Sequence, residues 1–276
     1  MRTRTWAAVE LTGERLRLWL MPDGGAVVPP IVAPIGGDPV TTIRTILKPH
    51  LVPGETTTVI ASGWPDVRPD RIPCRPPVPG SGQNLDPQIA LYRLPGLVQD
   101  RPADLVDSAV CIAGYLARSP QADGVVCIPG TPTVWAHLSA GEIVSFRSFL
   151  TVDLLAALAP PPIVAPALAM PVFTAAVQHA MSRPAGLAGD LSSIRARLSL
   201  HMLAPDDGRA EMAGLLIGVE LAAARPWWLG QTVSVVGSDW LADGYAAALA
   251  VQGVSPQRAD PDDLLLEGFR AAFQTI

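Results

Sequence analysis

One short turn in the chain has the residue types needed to hold a phosphate group. The stretch GVVCIPGTPTVW, residues 124–135, predicts a buried strand, a polar turn and a second strand, and the turn carries Gly130, Thr131 and Thr133. A turn that exposes backbone N–H groups and a threonine hydroxyl can cradle phosphate oxygens without a side-chain charge. A lone Pro-Gly-Thr is more often an ordinary strand connection, so the spacing by itself leaves both interpretations open.

Other reactive side chains lack the spacing of common catalytic or metal sites. The four histidines are far apart with no zinc-ligand spacing, and Ser62 lacks the G-x-S-x-G pattern of hydrolase nucleophiles. Cys74, Cys111 and Cys127 are odd in number and form no C-x-x-C motif. This pattern is typical of reduced thiols and predicts a cytoplasmic protein.

Composition limits the classes of partner. The 276 residues are 49% apolar, enough for a large core, and we expect two lobes. The net charge of −5 arises from 20 basic and 25 acidic residues without runs, which argues against nucleic acid as a partner. Prolines interrupt the apolar run 154–173, and residues 1–14 lack the apolar run of a signal peptide, so we expect no membrane partner.

A three-stranded pattern occurs twice in the chain. Residues 6–30 and 124–147 each contain three apolar runs of strand length, with Gly-containing hairpin turns between the second and third runs. The two segments match in pattern and not in identity. They therefore indicate a duplicated unit.

The rest of the chain alternates between strand and helix patterns, which predicts an α/β fold with helices covering the sheets. We place the boundary at the turn 119–123, giving lobes 1–120 and 121–276. Residues 65–88, rich in Pro, Gly and Arg, are expected to be irregular. Strands are predicted at 57–64 and 232–238, and helices at 38–51, 100–118, 171–181, 189–203, 211–224 and 242–253. The stretch TVDLLAALA at 151–159 follows the second meander.

Several motifs in register resemble those of one family, the 2-dehydro-3-deoxygalactonokinases, which are sugar-acid kinases of the sugar kinase, heat-shock protein 70 and actin superfamily. PGTPTVW is similar to the family's PGTHSKW, and FRSFLTVDLLAAL to its FxTFMTGELFALL. The segments VIASGW, YRLPGL, LSSIRARLSL and AGLLIGVELAAAR also match family segments in order and spacing. The resemblance covers nearly the whole chain.

The resemblance implies a two-lobed actin-like ATPase fold, with each lobe built on a ribonuclease-H-like mixed sheet and flanking helices. The first lobe would carry the first phosphate loop, Glu10–Arg15, and the sugar side of the site. The second lobe would carry the loop Pro129–Thr133 and the adenosine side. We expect the two loops to face one another across the nucleotide phosphates.

The same resemblance implies a reaction and its residues. ATP and Mg²⁺ would be the cofactors, and a 2-keto-3-deoxy aldonic acid the phosphoryl acceptor. Glu10, Asp107 and Asp153 are the candidate catalytic carboxylates, with Glu10 also a metal ligand. The candidates for cofactor binding are Thr12, Gly13, Gly130, Thr131, Thr133, Gly214, Gly218 and Gly237, and those for the substrate are Ser62, Thr151 and Arg195.

For some of these residues a structural role is an equal or better reading. Gly214 and Gly218 are four residues apart, which is equally typical of a close helix-packing face. Arg195 lies beside Arg197, where a solvated or salt-bridged helix face is the usual role, although a guanidinium also suits a sugar carboxylate. Trp135 is most simply a core residue.

The chain departs from the family pattern at its loops. Glu10 stands where the family has Asp, Thr12 where it has Gly, and Glu14 adds a negative charge. Pro132 and Val134 replace a His and a Lys, VDSA at 106–109 replaces RGEE, and Asp153 follows Val152 where the family has Gly-Glu. A working kinase then needs Glu10 or Glu14 to hold Mg²⁺ or to pair with Arg15 or Arg17.

Two functions remain open from the sequence. One is the sugar-acid kinase, with a small sugar acid as partner and a homodimer as one possible assembly. The alternative is a catalytically degenerate relative that keeps the fold for ligand sensing or partner binding. The departures at the phosphate loops favour the alternative, and the match along the whole chain favours the kinase.

Overall fold

The computed structural model describes residues 5–22, 29–158 and 168–276. Within it the chain divides into two compact units: the first comprises residues up to Pro120 together with Asp262–Ile276, and the second comprises Gln121–Pro261. The division at residue 120 coincides with the expected lobe boundary. The last fifteen residues differ from expectation, because they belong to the first unit and not to the second.

The first unit contains a six-stranded mixed sheet of order β3-β2-β1-β4-β7-β6 and a small sheet of order β5-β8-β9. β1 pairs antiparallel with β2 and parallel with β4, and β4 pairs parallel with β7. Its elements are β1 (Thr5–Thr12), β2 (Arg15–Pro22), β3 (Ile31–Pro34), α1 (Pro39–Leu47), β4 (Thr57–Ser62), β5 (Asp70–Arg71), β6 (Gln83–Asp86), β7 (Ile89–Arg93), β8 (Leu97–Asp100), β9 (Ala103–Val106) and α2 (Val110–Arg118).

The second unit contains a five-stranded sheet of order β12-β11-β10-β13-β14, and the chain then ends in helix α9, which packs in the first unit. β10 pairs antiparallel with β11 and parallel with β13. The elements of the second unit are β10 (Gly124–Ile128), β11 (Thr133–Ser139), β12 (Glu142–Phe149), α3 (Thr151–Leu158), α4 (Met170–Ser182), α5 (Leu187–Ser199), α6 (Pro205–Ala223), α7 (Arg225–Trp228), β13 (Val233–Val236), α8 (Trp240–Ala250) and β14 (Gln257–Ala259). Helix α9 (Pro261–Phe273) follows them in the chain.

The two large sheets share one strand order. In each sheet, the first three strands form an antiparallel meander. A fourth strand, β4 or β13, pairs parallel with the first strand of the meander, and a fifth, β7 or β14, pairs parallel with the fourth. The resulting orders are β3-β2-β1-β4-β7 and β12-β11-β10-β13-β14. Helices lie in the crossovers from β1 to β4, from β10 to β13 and from β13 to β14, whereas β4 and β7 are joined by the stretch that contains β5 and β6. The predicted α/β class is confirmed. Each large sheet begins with a three-stranded meander as expected, but the third strand of the first meander is β3, which follows the predicted segment 6–30.

Alternate residues of β1 point to opposite faces of the first sheet, and both sets are buried. Ala7 and Val9 pack in a cluster with residues of α1. Trp6 and Ala8 pack on the other side in a cluster with residues of α2 and α9. Trp6 stacks on Phe273 near the end of α9, with ring centroids 4.5 Å apart.

The second unit has one large apolar cluster formed by the sheet and helices α3, α4, α6 and α8. Helix α6 is its centre, with residues on all sides buried. Such a helix can contain a charged residue only if that residue finds polar partners inside the protein. Glu220 is that residue, at 2% exposure.

Two helix predictions are wrong in extent. Residues 100–106, predicted as the start of a helix, form the end of β8 and all of β9, because Arg101-Pro102 makes a hairpin turn between paired residues Asp100 and Ala103. Helix α6 begins at Pro205 instead of residue 211, since proline suits the first helical position and two aspartates follow it in the first turn.

Three other points concern the limits of the predictions. Strands β5 to β8 and β14 and helices α7 and α9 had no counterpart among the predicted elements, and β5 and β6 lie in the stretch 65–88 that was expected to be irregular. The expected hairpin turn at 22–25 and the run that follows it lie largely outside the described residues, as does much of the proline-rich stretch at 159–167. In the described part of the chain, none of the helices is both long and apolar enough to span a membrane.

The crossing of α2 and α9 yields a stability prediction. An added Cβ on Gly114 would overlap the carbonyl oxygen of Leu264 and lie 2.9 Å from the backbone nitrogen of Gly268. We expect Gly114→Ala to lower the free energy of unfolding by about 1–3 kcal/mol, because the helices must separate. Chemical denaturation measures this change.

Gly189→Ala is the matched control, because Gly189 lies in α5 with open space where its Cβ would be. We expect this substitution to raise stability by up to about 1 kcal/mol through the higher helix propensity of alanine. Equal stability of the Gly114 and Gly189 variants would contradict the close crossing.

Candidate functional site

The carboxyl ends of β1 and β4 bring two predicted site residues side by side. These strands are parallel neighbours, and Glu10 lies opposite Ser62 in their register. Both side chains face α2: the Ser62 hydroxyl donates to the Ser108 hydroxyl at 2.6 Å, just before this helix. Burial raises the pKa of the Cys111 thiol on α2 to about 12, and the negative charge of Glu10 contributes to this rise. In α/β sheets, ligands bind at such carboxyl ends.

Glu10 is held by an arginine on the neighbouring strand. Arg17 lies opposite Glu10 in the β1–β2 register, and its Nε and Nη2 atoms approach Oε2 of Glu10 at 2.7 and 2.6 Å. Its Nη1 donates to Asp262 Oδ1 at 2.7 Å. Burial raises the pKa of Glu10, and Arg17 opposes the rise. The structure thus realises one of the two expected arrangements, pairing with Arg17.

The turn after β1 is shorter than predicted. Residues 10–15 were expected to form a loop, but both strands continue to the pair Thr12 and Arg15, leaving only Gly13 and Glu14 at the tip. Gly13 has φ +57°, which glycine adopts without strain, and a Cβ there would meet open space. The tip from Thr12 to Arg15 is exposed, so a ligand can approach Thr12 and Gly13, but it also meets the Glu14 carboxylate.

Asp107 lies next to the Ser62 contact. Its neighbour Ser108 accepts from Ser62 and, at 3.4 Å, from the backbone N–H of Val110 at the start of α2. Asp107 itself is exposed. Gly96 packs directly against this segment, and any side chain there would overlap the backbone of residues 106 and 107. Asp107 therefore lies one residue before Ser108, whose hydroxyl contacts Ser62 beside Glu10 at the carboxyl ends of β4 and β1.

The second predicted loop connects β10 and β11. Thr131 at its tip is exposed, whereas Thr133 is fully buried. The backbone N–H of Gly130 donates to the Thr133 hydroxyl at 3.5 Å, and that hydroxyl lies 3.1 Å from the hydroxyl of Tyr245 on α8. Gly130 and Thr131 can therefore approach a ligand, while the Thr133 side chain shapes the loop from inside.

A buried carboxylate organises the interior behind this loop. Glu220 on α6 accepts at Oε1 from the indole N–H of Trp135 at 2.7 Å, and at Oε2 from the Tyr245 hydroxyl at 2.7 Å and from the Thr151 hydroxyl. Burial raises its pKa, and the three donors oppose the rise. Thr151, predicted to bind substrate, thus has its hydroxyl committed to Glu220 at the start of α3.

The three predicted adenosine-side glycines differ in their surroundings. Gly214 and Gly218 are buried, and Cβ atoms there would meet helix α4: the nearest atoms are the carbonyl oxygens of Phe173 and Val177, the latter at 2.7 Å. The packing interpretation therefore describes both, and the close approach they permit is to α4. Gly237 instead makes the turn from β13 to α8 with φ +147°.

Gly237 is held in a defined loop. Its N–H donates to Ala259 and its carbonyl oxygen accepts from Arg258 at 2.8 Å. Asp239 then caps α8 by accepting from the Ala242 N–H. A turn between a parallel strand and a helix N-terminus is where α/β folds bind anionic groups, so Gly237 keeps a geometry suited to a nucleotide.

The two remaining predicted residues are exposed. Asp153 lies in the first turn of α3, and Arg195 lies on α5. Neighbouring Arg197 forms an ion pair with Glu211, and among the described residues no ion pair of Arg195 is seen. Both side chains are therefore available to a ligand, but no contact groups them with another predicted residue.

The sequence reasoning missed four residues that complete these arrangements. Ser108 and Asp262 partner Ser62 and Arg17, and Tyr245 links Thr133 to Glu220, whose central role was also unrecognised. A usable signal existed only for Glu220, the single acid in the apolar stretch GLLIGVELAAA. A buried acid must be hydrogen-bonded, so it predicts a polar cluster without identifying its members.

Comparisons with known proteins identify relatives along the whole chain. Residues 40–272 match the model of the 2-keto-3-deoxy-galactonokinase family. A protein of Rhizobium meliloti (strain 1021), named a probable 2-dehydro-3-deoxygalactonokinase, is 30% identical over 98% of this chain and 97% of its own length.

Solved structures support the same relationship. A crystal structure of a Sinorhizobium meliloti protein, assigned as a 2-dehydro-3-deoxygalactonokinase, has a TM-score of 0.83 at 28% identity and covers 98% of both chains. Component A of (R)-2-hydroxyglutaryl-CoA dehydratase from Acidaminococcus fermentans has a TM-score of 0.52 at 14% identity, again over 98% of both chains, and shares the fold alone. The predicted actin-like ATPase fold is confirmed.

The raised pKa of Glu220 gives a testable dependence of stability on pH. A carboxyl whose folded pKa lies above its ordinary value of 4.5 stabilises the folded protein most at pH values below 4.5, and this contribution is lost as pH rises through the folded pKa. We expect the stability of the unaltered protein, relative to Glu220→Gln, to fall as pH rises from 4.5.

Urea unfolding of both proteins between pH 4.5 and 8 measures this difference. The shifted pKa of Glu10 is present in both proteins and cancels. A difference in unfolding free energy that stays constant with pH would show that the folded protein does not disfavour the charged form of Glu220.

Proposed function

Because the chain belongs to the 2-keto-3-deoxy-galactonokinase family, we propose that it transfers the γ-phosphoryl group of ATP to a hydroxyl group of a 2-keto-3-deoxy sugar acid. The observation that carries the proposal is the match along the whole chain, together with the repeated sheet in which each unit presents a turn between its first two strands. Phosphoryl transfer is achieved mainly by positioning and charge neutralisation, so such turns are sufficient machinery when a metal assists.

Each of the two turns has groups that would bind phosphate oxygens of ATP. The tip at Thr12 and Gly13 offers an exposed hydroxyl and unhindered backbone. The tip at Gly130 and Thr131 offers the same chemistry in the second unit. The first tip ends at the exposed Arg15, next to the opposite charge of Glu14, and residues 129–133 contain no lysine or arginine. Much of the phosphate charge must therefore be met by backbone dipoles and by a cation.

Glu10 is the residue that would hold magnesium. Magnesium is usually bound by one or two carboxylates with water and substrate phosphates, and among the described residues no group of three or more His, Cys, Asp or Glu side chains is arranged to hold a metal. The Arg17 contacts on Glu10 both go to Oε2. Oε1 is then the oxygen that would meet a metal-bound water. The cation would neutralise the phosphate oxygens during transfer.

Asp107 is the best-placed general base among the predicted carboxylates. It is exposed, so a substrate hydroxyl can reach it, and it lies between the end of β9 and Ser108, whose hydroxyl contacts Ser62. The serine pair would orient the sugar hydroxyls. Arg195 would pair with the acid group of the sugar, for which a guanidinium is well shaped. Asp153 remains a second candidate carboxylate in the other unit.

Metal-dependent ATP binding tests the first part of this proposal. We expect calorimetry to detect ATP binding with Mg²⁺ and much weaker binding without it, since the anionic oxygens otherwise face Glu10 and Glu14 uncompensated. Glu10→Ala should abolish the dependence on metal. No ATP binding at millimolar concentration, with the fold intact, would leave the non-catalytic relative as the better interpretation.

The charge at the turn tip gives a sharper variant of this experiment. We expect Glu14→Gln to tighten ATP binding several-fold, because it removes an exposed like charge beside the phosphates. Glu142→Gln is the matched control, since it makes the same change in net charge at the first residue of β12, at the opposite end of the β11–β12 hairpin from Thr133. An equal gain in both variants would place the effect in overall charge and not in the turn. Adding Val134→Lys to Glu14→Thr restores the family's cation and should tighten binding further.

The assignment of the general base predicts a change in rate without a change in ATP binding. With ATP and 2-keto-3-deoxy-galactonate, we expect Asp107→Asn to lower kcat by about a hundredfold or more, the usual contribution of a general base. ADP release measures the rate, and calorimetry checks ATP binding. Asp153→Asn is the paired variant, and a loss of kcat there with Asp107→Asn unaffected would assign the base to α3 instead.

A further inference from the structure

The polar cluster around Glu220 goes beyond what the stability of α6 requires. The carboxylate is buried, none of its hydrogen-bonding partners is a cation, and it accepts from three side chains on three different elements. An apolar residue of similar size would avoid the desolvation cost and would leave the packing of α6 intact. Packing alone therefore does not explain why this position is a carboxylate.

The hydrogen bonds form a chain from the second loop to Glu220. The Tyr245 hydroxyl donates to Glu220 Oε2 at 2.7 Å and lies 3.1 Å from the Thr133 hydroxyl. The Thr133 hydroxyl accepts from the backbone N–H of Gly130 and donates to the Gly130 carbonyl oxygen at 3.4 Å, so it holds both backbone groups of this residue. Members of such a network polarise and strengthen one another.

The same carboxylate also anchors a second segment. The Thr151 hydroxyl, at the first residue of α3, donates to Glu220 Oε2, the oxygen that receives Tyr245. Two residues later the helix carries Asp153. One atom thus fixes both the loop after β10 and the start of the helix after β12.

We propose that Glu220 is a positioning residue for phosphoryl transfer, which holds the Pro129–Thr133 loop through Tyr245 and Thr133 and the start of α3 through Thr151. This inference rests on the proposed function, because it takes the loop to be a phosphate site. Misplacement of a catalytic group by 1 Å can cost about a hundredfold in rate. A loop without charged side chains depends on where its backbone N–H groups point, and the cluster supplies that constraint.

Tyr245→Phe tests the proposal because it removes one hydroxyl and keeps the ring. We expect KM for ATP to rise and kcat to fall, lowering kcat/KM for ATP by about tenfold to a hundredfold, with KM for the sugar acid unchanged. Amide hydrogen exchange should become faster in residues 129–133. Thr133→Val should reproduce both effects. Thr133→Ser keeps the hydroxyl and should show the kcat/KM and the amide exchange of the unaltered protein.

Trp228→Phe is the matched control. It removes a buried hydrogen bond of the second unit, the 2.9 Å bond from the indole of Trp228 to the carbonyl oxygen of Leu221 on α6, which lies outside the cluster. We expect it to lower the thermal unfolding temperature without changing KM for ATP or exchange at 129–133. A purely structural role for Glu220 would make Tyr245→Phe behave in the same way, and that result would overturn the proposal.

The exchange measurement separates this inference from the proposed function. An unaltered protein that does not phosphorylate the sugar acid would refute the proposed function. Unchanged exchange at 129–133 in both Tyr245→Phe and Thr133→Val would refute the positioning role even in a fully active enzyme. If Tyr245→Phe does not fold, the Thr133→Val and Thr133→Ser pair decides the question, since valine has the shape of threonine.

Discussion

The desolvation of one carboxylate constrains much of the second unit. Glu220 lies in the apolar C-terminal part of α6, and a buried acid must have its lone pairs occupied. Trp135 from β11, Thr151 from α3 and Tyr245 from α8 supply the donors. The sheet and two helices are thereby tied to α6 by directional bonds as well as by apolar packing. A shift of any one of them leaves a charge or a donor unsatisfied, so the arrangement is specific.

The two units share a strand arrangement, but different side chains support the turn between their first two strands. Both have a meander followed by parallel strands, and both present a turn between the first two strands. In the first unit, a carboxylate within β1 is balanced by Arg17 on β2, which also contacts Asp262. In the second unit, the corresponding turn is supported by neutral hydroxyls that lead to Glu220. The first unit therefore concentrates charge near its turn, and the second keeps its charge in the interior.

The sequence was sufficient for features that depend on local periodicity. Apolar runs of strand length predicted the two meanders, and Gly141 predicted the tight turn between β11 and β12. The helix predicted at 100–118 was too long because Arg101-Pro102 is compatible with a helix start and with a hairpin turn, and only pairing of β8 with β9 decides between them. Likewise, Gly218 in isolation fits a nucleotide or a helix, and the position of α4 decides.

The site residues show the same limit. Glu10, Ser62 and Asp107 could be named from motifs, but their grouping depends on β1 and β4 being parallel neighbours 52 residues apart in register. Partners such as Ser108, Asp262 and Tyr245 carry no motif. Their roles arise from tertiary contacts between elements distant in sequence, which periodicity does not encode.

The return of α9 to the first unit has a consequence for synthesis of the protein. The apolar cluster containing Trp6 and Trp19 is completed by Leu265 and Phe269, which are made after the whole second unit. While the ribosome is still translating the second unit, one face of the first sheet has α2 but lacks α9, so its two tryptophans are incompletely covered. The second unit, by contrast, has all its own residues once Pro261 has emerged. The nascent chain therefore completes its later unit first, and the early exposed face is the part that a chaperone would need to shield.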